Sequence, residues 1–225
     1  IIRLGYGFSR SRNGAASLHA VTCLPAVRGA WKHPGAGLYG SIGQNFRLNT
    51  SLITGVESQD VRRLDMSQLG PILTGEAGPL QGGPEVAAML VQSSNPAVVA
   101  PESGKVRTGM MRSDLFICVH EQFFTDTAKL ADVVLPATTF LEHDDIYTSY
   151  GHPYLQFGPK IIEPLDEARS NHELLSALAK RLGANHRAFE MSTWDVIDEV
   201  LQTNGFGTAS NLKEKRFIEV RPSFE

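Results

Sequence analysis

Apolar positions along this chain fall into two kinds of run. Leu115–Val119 and Val133–Leu135 are short continuous blocks, and Glu85–Gln92 holds a third from Ala88. Blocks of that length predict buried strands. Elsewhere apolar residues recur at three- and four-residue steps: Leu18, Val21, Leu24 and Val27; Leu174, Leu175, Leu178, Ala179 and Leu182; Val196, Ile197, Val200 and Leu201. That spacing predicts helices with one inward face. The first should cover Ala15–Trp31, with Asn13 as N-cap and Pro25 kinking it or ending its first part. Ser170 with Glu173 predicts a capping box, Gly183 a stop, and Ser192–Asp195 the start of another capped helix.

The block at Leu115 ends at a polar pair, His120–Glu121. Thr125 then stands where an N-cap would, before a short helical piece ending near Leu130, and Pro136 closes the next block. Strand, short crossover and strand is the order of a parallel sheet. The prediction is a three-layer α/β fold with a mostly parallel, Rossmann-like sheet flanked by helices. Ala88–Val91, Leu115–Val119 and Val133–Leu135 should share one sheet, with their carboxyl ends along one edge. Ligands of open α/β sheets bind outside that edge, where Glu121, Thr125 and Asp126 stand. Asp132 reads as a structural hydrogen-bond acceptor. Asn95–Pro96 is a turn initiator after the Ala88 strand.

The chain opens with a strand-like run, Ile1–Leu4, followed by the loop Gly5–Gly14 and then the first helix. Such an order offers backbone N–H groups and a positive helix end to a phosphate. Gly5 and Gly7 permit close approach, and Arg10 and Arg12 add charge. Arg10 stands where the third glycine of a dinucleotide fingerprint would be, so a tight structural turn explains the loop equally well. Pro34–Gly43 and Gly75–Pro84 are loops, and the region Asn49–Pro84 has room for a short helix or two.

The chain has 225 residues, 42% of them hydrophobic and 20% charged, which is a globular balance. Its net charge of −3 gives no reason to expect nucleic-acid binding. All 24 acidic residues lie from Glu57 onward, whereas Arg3, Arg10, Arg12, Arg28, Lys32 and Arg47 precede it. A basic first segment suits either an anionic ligand or pairing with the acidic remainder. Cys23 and Cys118 sit in apolar runs without a C-x-x-C motif, which predicts buried thiols and no zinc or iron–sulfur site. No apolar run reaches the ~20 residues of a membrane span. Glu142, His143, Asp144 and Asp145 are adjacent ligand types, but neighbours on a chain point apart, so no metal site is assigned. The chain starts inside a strand-like run and is expected to be an internal fragment.

The run EQFFTDTAKLADVVLPAT, from Glu121, resembles the signature of the molybdopterin oxidoreductases: an acidic residue, F-x-T-(D or E)-T-A, then A-D-(V or I)-(V or I)-L-P. The family includes the DMSO reductases and formate dehydrogenases. The opening Gly5–Tyr6–Gly7 loop, the segment LPAVRGAWKHPGAG and the helix after Ser170 are also similar to family elements, with His172 at a tryptophan position. Ser149–Tyr150–Gly151–His152 departs from the family's N-x-E-G, while Glu142 and Gln156 fit its frame.

This resemblance implies the cofactor-binding region of a larger catalytic subunit, carrying a bis-molybdopterin guanine dinucleotide (Mo-bisMGD). Residues 1–45 would end one cofactor-binding α/β domain, and 46–225 would form a second. The metal ligand, a 4Fe-4S cluster and a closing β-barrel would lie outside this chain, which alone should be inactive. The implied cofactor contacts are Gly5, Tyr6, Gly7, Ser9, Arg10, Asn13, Asn95, Glu121, Thr125 and Asp126. Arg10 and the loop N–H groups would face pyrophosphate, and Glu121 would accept from the N1–H and 2-amino groups of guanine. Gln44 and Asn45 match an active-site loop of formate dehydrogenases, but Ile42 replaces its arginine, which argues against formate. The implied function is two-electron oxidation or reduction of a small substrate, with an electron-transfer subunit as partner. The alternatives are a non-catalytic electron-transfer subunit of the NADH dehydrogenase type and a plain NAD-binding domain.

Overall fold

The protein is described by a computed structural model that covers residues 1–40, 46, 48–54 and 61–220. Along the chain lie β1 (Ile2–Arg3), α1 (Gly14–Val27), β2 (Leu38–Tyr39), α2 (Ser51–Thr54), α3 (Leu69–Leu73) and β3 (Ala88–Gln92). Next come α4 (Pro96–Val99), α5 (Ser103–Met110), β4 (Phe116–Glu121), β5 (Val133–Pro136), β6 (Asp145–Tyr147) and β7 (Tyr154–Gly158). The remainder is α6 (Asn171–Arg181), α7 (Thr193–Thr203), α8 (Ala209–Lys215) and β8 (Phe217–Glu219). The fold is α/β, with parallel sheets and flanking helices. It divides into two compact units. One gathers Ile1–Asn49, Ile146–Phe157 and Asp198–Glu225; the other holds Thr50–Asp145 and Gly158–Ile197.

In the first unit β1 and β2 pair in parallel, Ile2 with Leu38 and Arg3 with Tyr39, and α1 is the crossover between them. Pro25 falls in the last turn of α1, which ends two residues later at Val27. Gly29 follows in the left-handed region at φ 63°, which turns the chain back toward β2. The N-cap reading of Asn13 needs correction. The residue is in position, but its ψ of 22° lies outside the extended region and its side chain makes no cap bond. The predicted inward face of α1 is also open, with Leu24 and Val27 at 55% and 85% exposure. A sheet of strands β6, β7 and β8 was not foreseen. β7 and β8 run antiparallel, Leu155 opposite Ile218, and Asn49 N–H donates to Asn204 Oδ1 at 2.6 Å.

The second unit contains the expected sheet. β3, β4 and β5 are all parallel in that order, with Val91 beside Val119 and Val119 beside Val134. β4 runs on through His120 to Glu121, so the polar pair continues the strand. Leu73, Val91, Ala97, Val106, Met110, Leu115, Ile117, Val119 and Ala128 form the core on one sheet face. Two glycines let α3 and α5 approach. A Cβ on Gly109 would lie 2.4 Å from Leu73 Cβ, and one on Gly70 would lie 2.8 Å from Lys105 Cβ. Truncating a fully buried leucine such as Leu73 to alanine costs about 2–5 kcal/mol.

The strands are less buried than their apolar runs suggest. On the opposite face Leu90, Phe116 and Val133 are exposed. The capping box of α6 is present, and Gly183 ends the helix at φ 74°. Its buried side centres on Ser176, however, and Leu175, Leu178 and Leu182 are exposed. α7 begins with a reciprocal pair, Ser192 N–H to Asp195 Oδ2 at 3.1 Å and Asp195 N–H to Ser192 Oγ at 3.2 Å. Val196, Ile197, Val200 and Leu201 are buried as expected.

Candidate functional site

The carboxyl ends of β1 and β2 open into a cavity of about 490 Å³. Gly5, Tyr6 and Ser9 line it after β1, and Gly40 lines it after β2. Gly5 and Gly7 also line an adjoining cavity of about 440 Å³. Among the described residues Arg3 is the cation in the lining, and Arg10 and Asn13 are outside both linings. Ser9 Oγ donates to Tyr6 O at 2.7 Å, closing a 3-10 turn over Tyr6–Arg10. Its remaining capacity is therefore as an acceptor unless the hydroxyl rotates.

The glycines here differ from those elsewhere in the chain. Gly5 has φ −100° and ψ 179°, extended torsions open to any residue. A Cβ at Gly5, Gly7 or Gly40 would meet nothing within 4 Å, and none of the three has a positive φ. At Gly14, by contrast, a Cβ would lie 1.6 Å from Phe8 O. Neither torsion nor packing calls for glycine at Gly5, Gly7 and Gly40. Open backbone of this kind is what a closely approaching ligand would require.

Sequence reasoning missed Arg3, Tyr39 and Tyr150 in this site. Tyr39 Oη donates to Tyr150 O at 2.9 Å, and the Tyr150 ring stands edge-on to Tyr6, centroids 6.1 Å apart. The signal was a repeat: Leu4–Gly5–Tyr6 and Leu38–Tyr39–Gly40 both place tyrosine and glycine at a strand end. Gln44 and Asn45 lie outside the described residues.

In the second unit, Glu121 is the last residue of β4. Its Oε1 accepts the Gln122 N–H at 2.7 Å, so the carboxylate folds back on its own main chain and keeps its other lone pairs. Thr125 Oγ1 accepts from Ala128 N–H at 3.2 Å, a cap-like bond from two residues before Thr127, which holds the N-cap position of the 3-10 helix Ala128–Leu130 and makes no side-chain cap bond. Asp126 pairs with Lys129 at 3.2 Å and lies 3.9 Å from Arg107. Asn95 Oδ1 accepts from both the N–H and the Oγ1–H of buried Thr127, at 3.2 and 2.7 Å. Only its amide nitrogen remains for a ligand. Asp132 Oδ2 accepts from Ile117 N–H at 2.7 Å, the structural role expected of it. Ser93, just past β3, holds a left-handed φ of 49° without being glycine.

His120 was read as a strand stop, yet it is buried within β4. Its Nε2–H donates to Arg169 O at 3.0 Å, which leaves Nδ1 to accept from Gln92 Nε2 at 3.2 Å. That assignment makes it a neutral imidazole. The Glu142–Asp145 side chains diverge. Glu142 caps two backbone N–H groups, of Thr139 and Leu165, and these bonds hold its pKa below the ordinary carboxylate range. His143 bonds Thr138 Oγ1, and Asp144 accepts from Trp194 Nε1. Among the described residues no three His, Cys, Asp or Glu side chains gather in a metal-holding group. Cys23 is exposed, whereas burial raises the Cys118 thiol. No helix among the described residues is long and apolar enough to cross a membrane.

The molybdopterin oxidoreductase family model matches residues 1–181 of this chain. Two proteins of Bacillus subtilis strain 168 are similar. Probable oxidoreductase YoaE is 38% identical over 203 residues, covering 89% of this chain and 28% of that protein. Probable oxidoreductase YyaE is 31% identical over 218 residues, covering 94% and 32%. The chain thus spans about a third or less of these curated relatives. Acetylene hydratase from Pelobacter acetylenicus shares the fold, with a TM-score of 0.56 at 22% identity over 68% of this chain and 21% of that one.

Proposed function

The chain belongs to the molybdopterin oxidoreductase family, and from that premise we propose that it is the molybdopterin guanine dinucleotide-binding region of a molybdenum-dependent oxidoreductase. The whole protein would oxidise or reduce a small substrate by two electrons. One observation carries the reading: Gly5 and Gly40 present bare, unstrained backbone to a cavity at the carboxyl ends of two parallel strands. A pyrophosphate needs such a surface, because its oxygens take hydrogen bonds from main-chain N–H groups that a Cβ would shield. The residues present therefore fit the group.

In this reading the roles of the chain are binding and orientation. The Gly5–Ser9 turn and Arg3 hold the dinucleotide anion, and the Tyr6–Tyr150 pair walls the cavity. In the second unit, Glu121 accepts from the donor edge of guanine with its free lone pairs, while Thr125 fixes the loop that follows. When bound, the cofactor supplies the two-electron chemistry. The test is direct. The full-length protein is denatured, and molybdenum and guanine nucleotide are measured in the released fraction. Both should be present. Molybdenum without guanine nucleotide would overturn the dinucleotide form, and neither would overturn the reading.

A further inference from the structure

Asparagine is followed by glycine at two places in the chain, Asn13–Gly14 and Asn204–Gly205. In such a pair the glycine nitrogen can close on the asparagine side-chain carbon, because no Cβ on the second residue stands in the way. The structure treats the two pairs differently. Asn204 is tied at both ends of its amide. Its Oδ1 accepts from Asn49 N–H at 2.6 Å, and its Nδ2 donates to Val200 O at 2.7 Å and to Asn49 O at 3.3 Å. Asn13 is exposed, and its side chain makes no cap bond although it stands at the head of α1. The residue after it is held to glycine by packing, since a Cβ on Gly14 would lie 1.6 Å from Phe8 O. The fold therefore keeps the reactive pair and leaves its amide loose.

We propose that Asn13 is a site of deamidation in the folded protein, and that the fold protects Asn204. The Gly14 nitrogen attacks Asn13 Cγ and forms a new C–N bond. The bond from Cγ to Nδ2 breaks, and the side-chain nitrogen leaves as ammonia with the proton from the Gly14 nitrogen. Water then opens the cyclic imide at one of its two carbonyls. Opening at the side-chain carbonyl gives aspartate, and opening at the main-chain carbonyl gives isoaspartate. At Asn13 the closure disturbs two backbone bonds of a helix end, Gly14 N–H to Ser11 O at 3.0 Å and Ser17 N–H to Asn13 O at 3.1 Å. At Asn204 it must break the three side-chain bonds besides the one from Gly205 N–H to Gln202 O at 3.0 Å. Each product places a carboxylate in a segment that has no acidic residue before Glu57, so the converted protein is an acidic charge variant.

The experiment incubates the full-length, cofactor-free protein at mildly alkaline pH and follows aspartate and isoaspartate at both pairs by peptide mapping. Conversion at Asn13 should outpace that at Asn204 by about tenfold or more, because the bonds that hold the Asn204 amide must break first. In urea-unfolded protein the two pairs should convert at similar rates, which shows that the fold makes the difference. Asn13→Gln should abolish the acidic variant that appears first. Conversion at Asn204 as fast as at Asn13 in the folded protein would overturn the proposal. So would an Asn13 that stays intact in the folded protein over a time in which the unfolded protein converts at both pairs.

Discussion

Gly5→Ala separates the ligand from the fold. The new methyl stands about 1.5 Å from Cα and meets no protein atom within 4 Å. The torsions already suit alanine, so the folded chain is unstrained. The unfolded chain loses freedom, which stabilises by about 0.4–1 kcal/mol. A domain of this size gains about 2–4 °C in Tm per kcal/mol, so the cofactor-free form should melt at the same temperature or slightly higher. The ligand fares differently. A phosphate oxygen about 2.9 Å from a loop nitrogen must retreat by about the length of the added bond, which breaks that hydrogen bond. A bond to a charged group contributes about 1.5–3 kcal/mol, or about 10- to 150-fold in affinity. Gly14→Ala is the control. Its Cβ would lie 1.6 Å from Phe8 O, and relieving that overlap costs about 1–3 kcal/mol. The assay is molybdenum and guanine nucleotide per full-length protein, beside the melting of the cofactor-free form. Cofactor content at the wild-type level in Gly5→Ala would refute the reasoning, as would a fall in its Tm like that of Gly14→Ala.

Glu121→Gln should lower molybdenum per protein with an unchanged circular-dichroism spectrum, because a donor replaces an acceptor at a position outside the core. Wild-type metal content would assign Glu121 to the surface. Thr125→Val removes the acceptor of the Ala128 N–H and should cost about 1 kcal/mol, read as a lower Tm even without cofactor. The Glu142 pKa is depressed in the folded state, first by the Thr139 backbone bond. Its stabilising effect is therefore complete above the unfolded value near 4.3 and is lost as pH falls through the folded value. Thermal scans should show a decline below about pH 4 that Glu142→Gln makes shallower.

Local rules with local partners were legible. The capping box at Ser170, the Ser192–Asp195 pair and the Thr125–Ala128 bond each need residues only three apart, and all form. The parallel sheet was legible because two apolar blocks flank a crossover too short for much else. Periodicity was less informative about burial. The spacing of Leu175, Leu178 and Leu182 describes a helix face, yet nothing in a spacing says that another element covers it. Pairings distant in sequence were invisible. β7 meets β8 across some sixty intervening positions, through short strands whose mixed polarity resembles loop. Asn95 with Thr127, and Tyr39 with Tyr150, are likewise contacts that only the fold creates.

Those distant contacts decide how the site is held. The ladder of the three-stranded sheet stops at Glu121 and Pro136, and the backbone beyond it still needs hydrogen-bond partners. Side chains supply several. Thr127 Oγ1 accepts from Ala97 N–H at 3.1 Å while donating to Asn95, and His120 reaches the carbonyl of Arg169. Thr127 and His120 are buried, so cutting either bond leaves a group without water or partner, at about 1–3 kcal/mol each. This is the reason a neutral threonine and a neutral histidine stand where apolar residues would pack. They hold the loops after β3 and β4 before any ligand arrives. In the proposed reading, binding at Glu121 would then not have to order the chain, and more of the contact energy would remain as affinity.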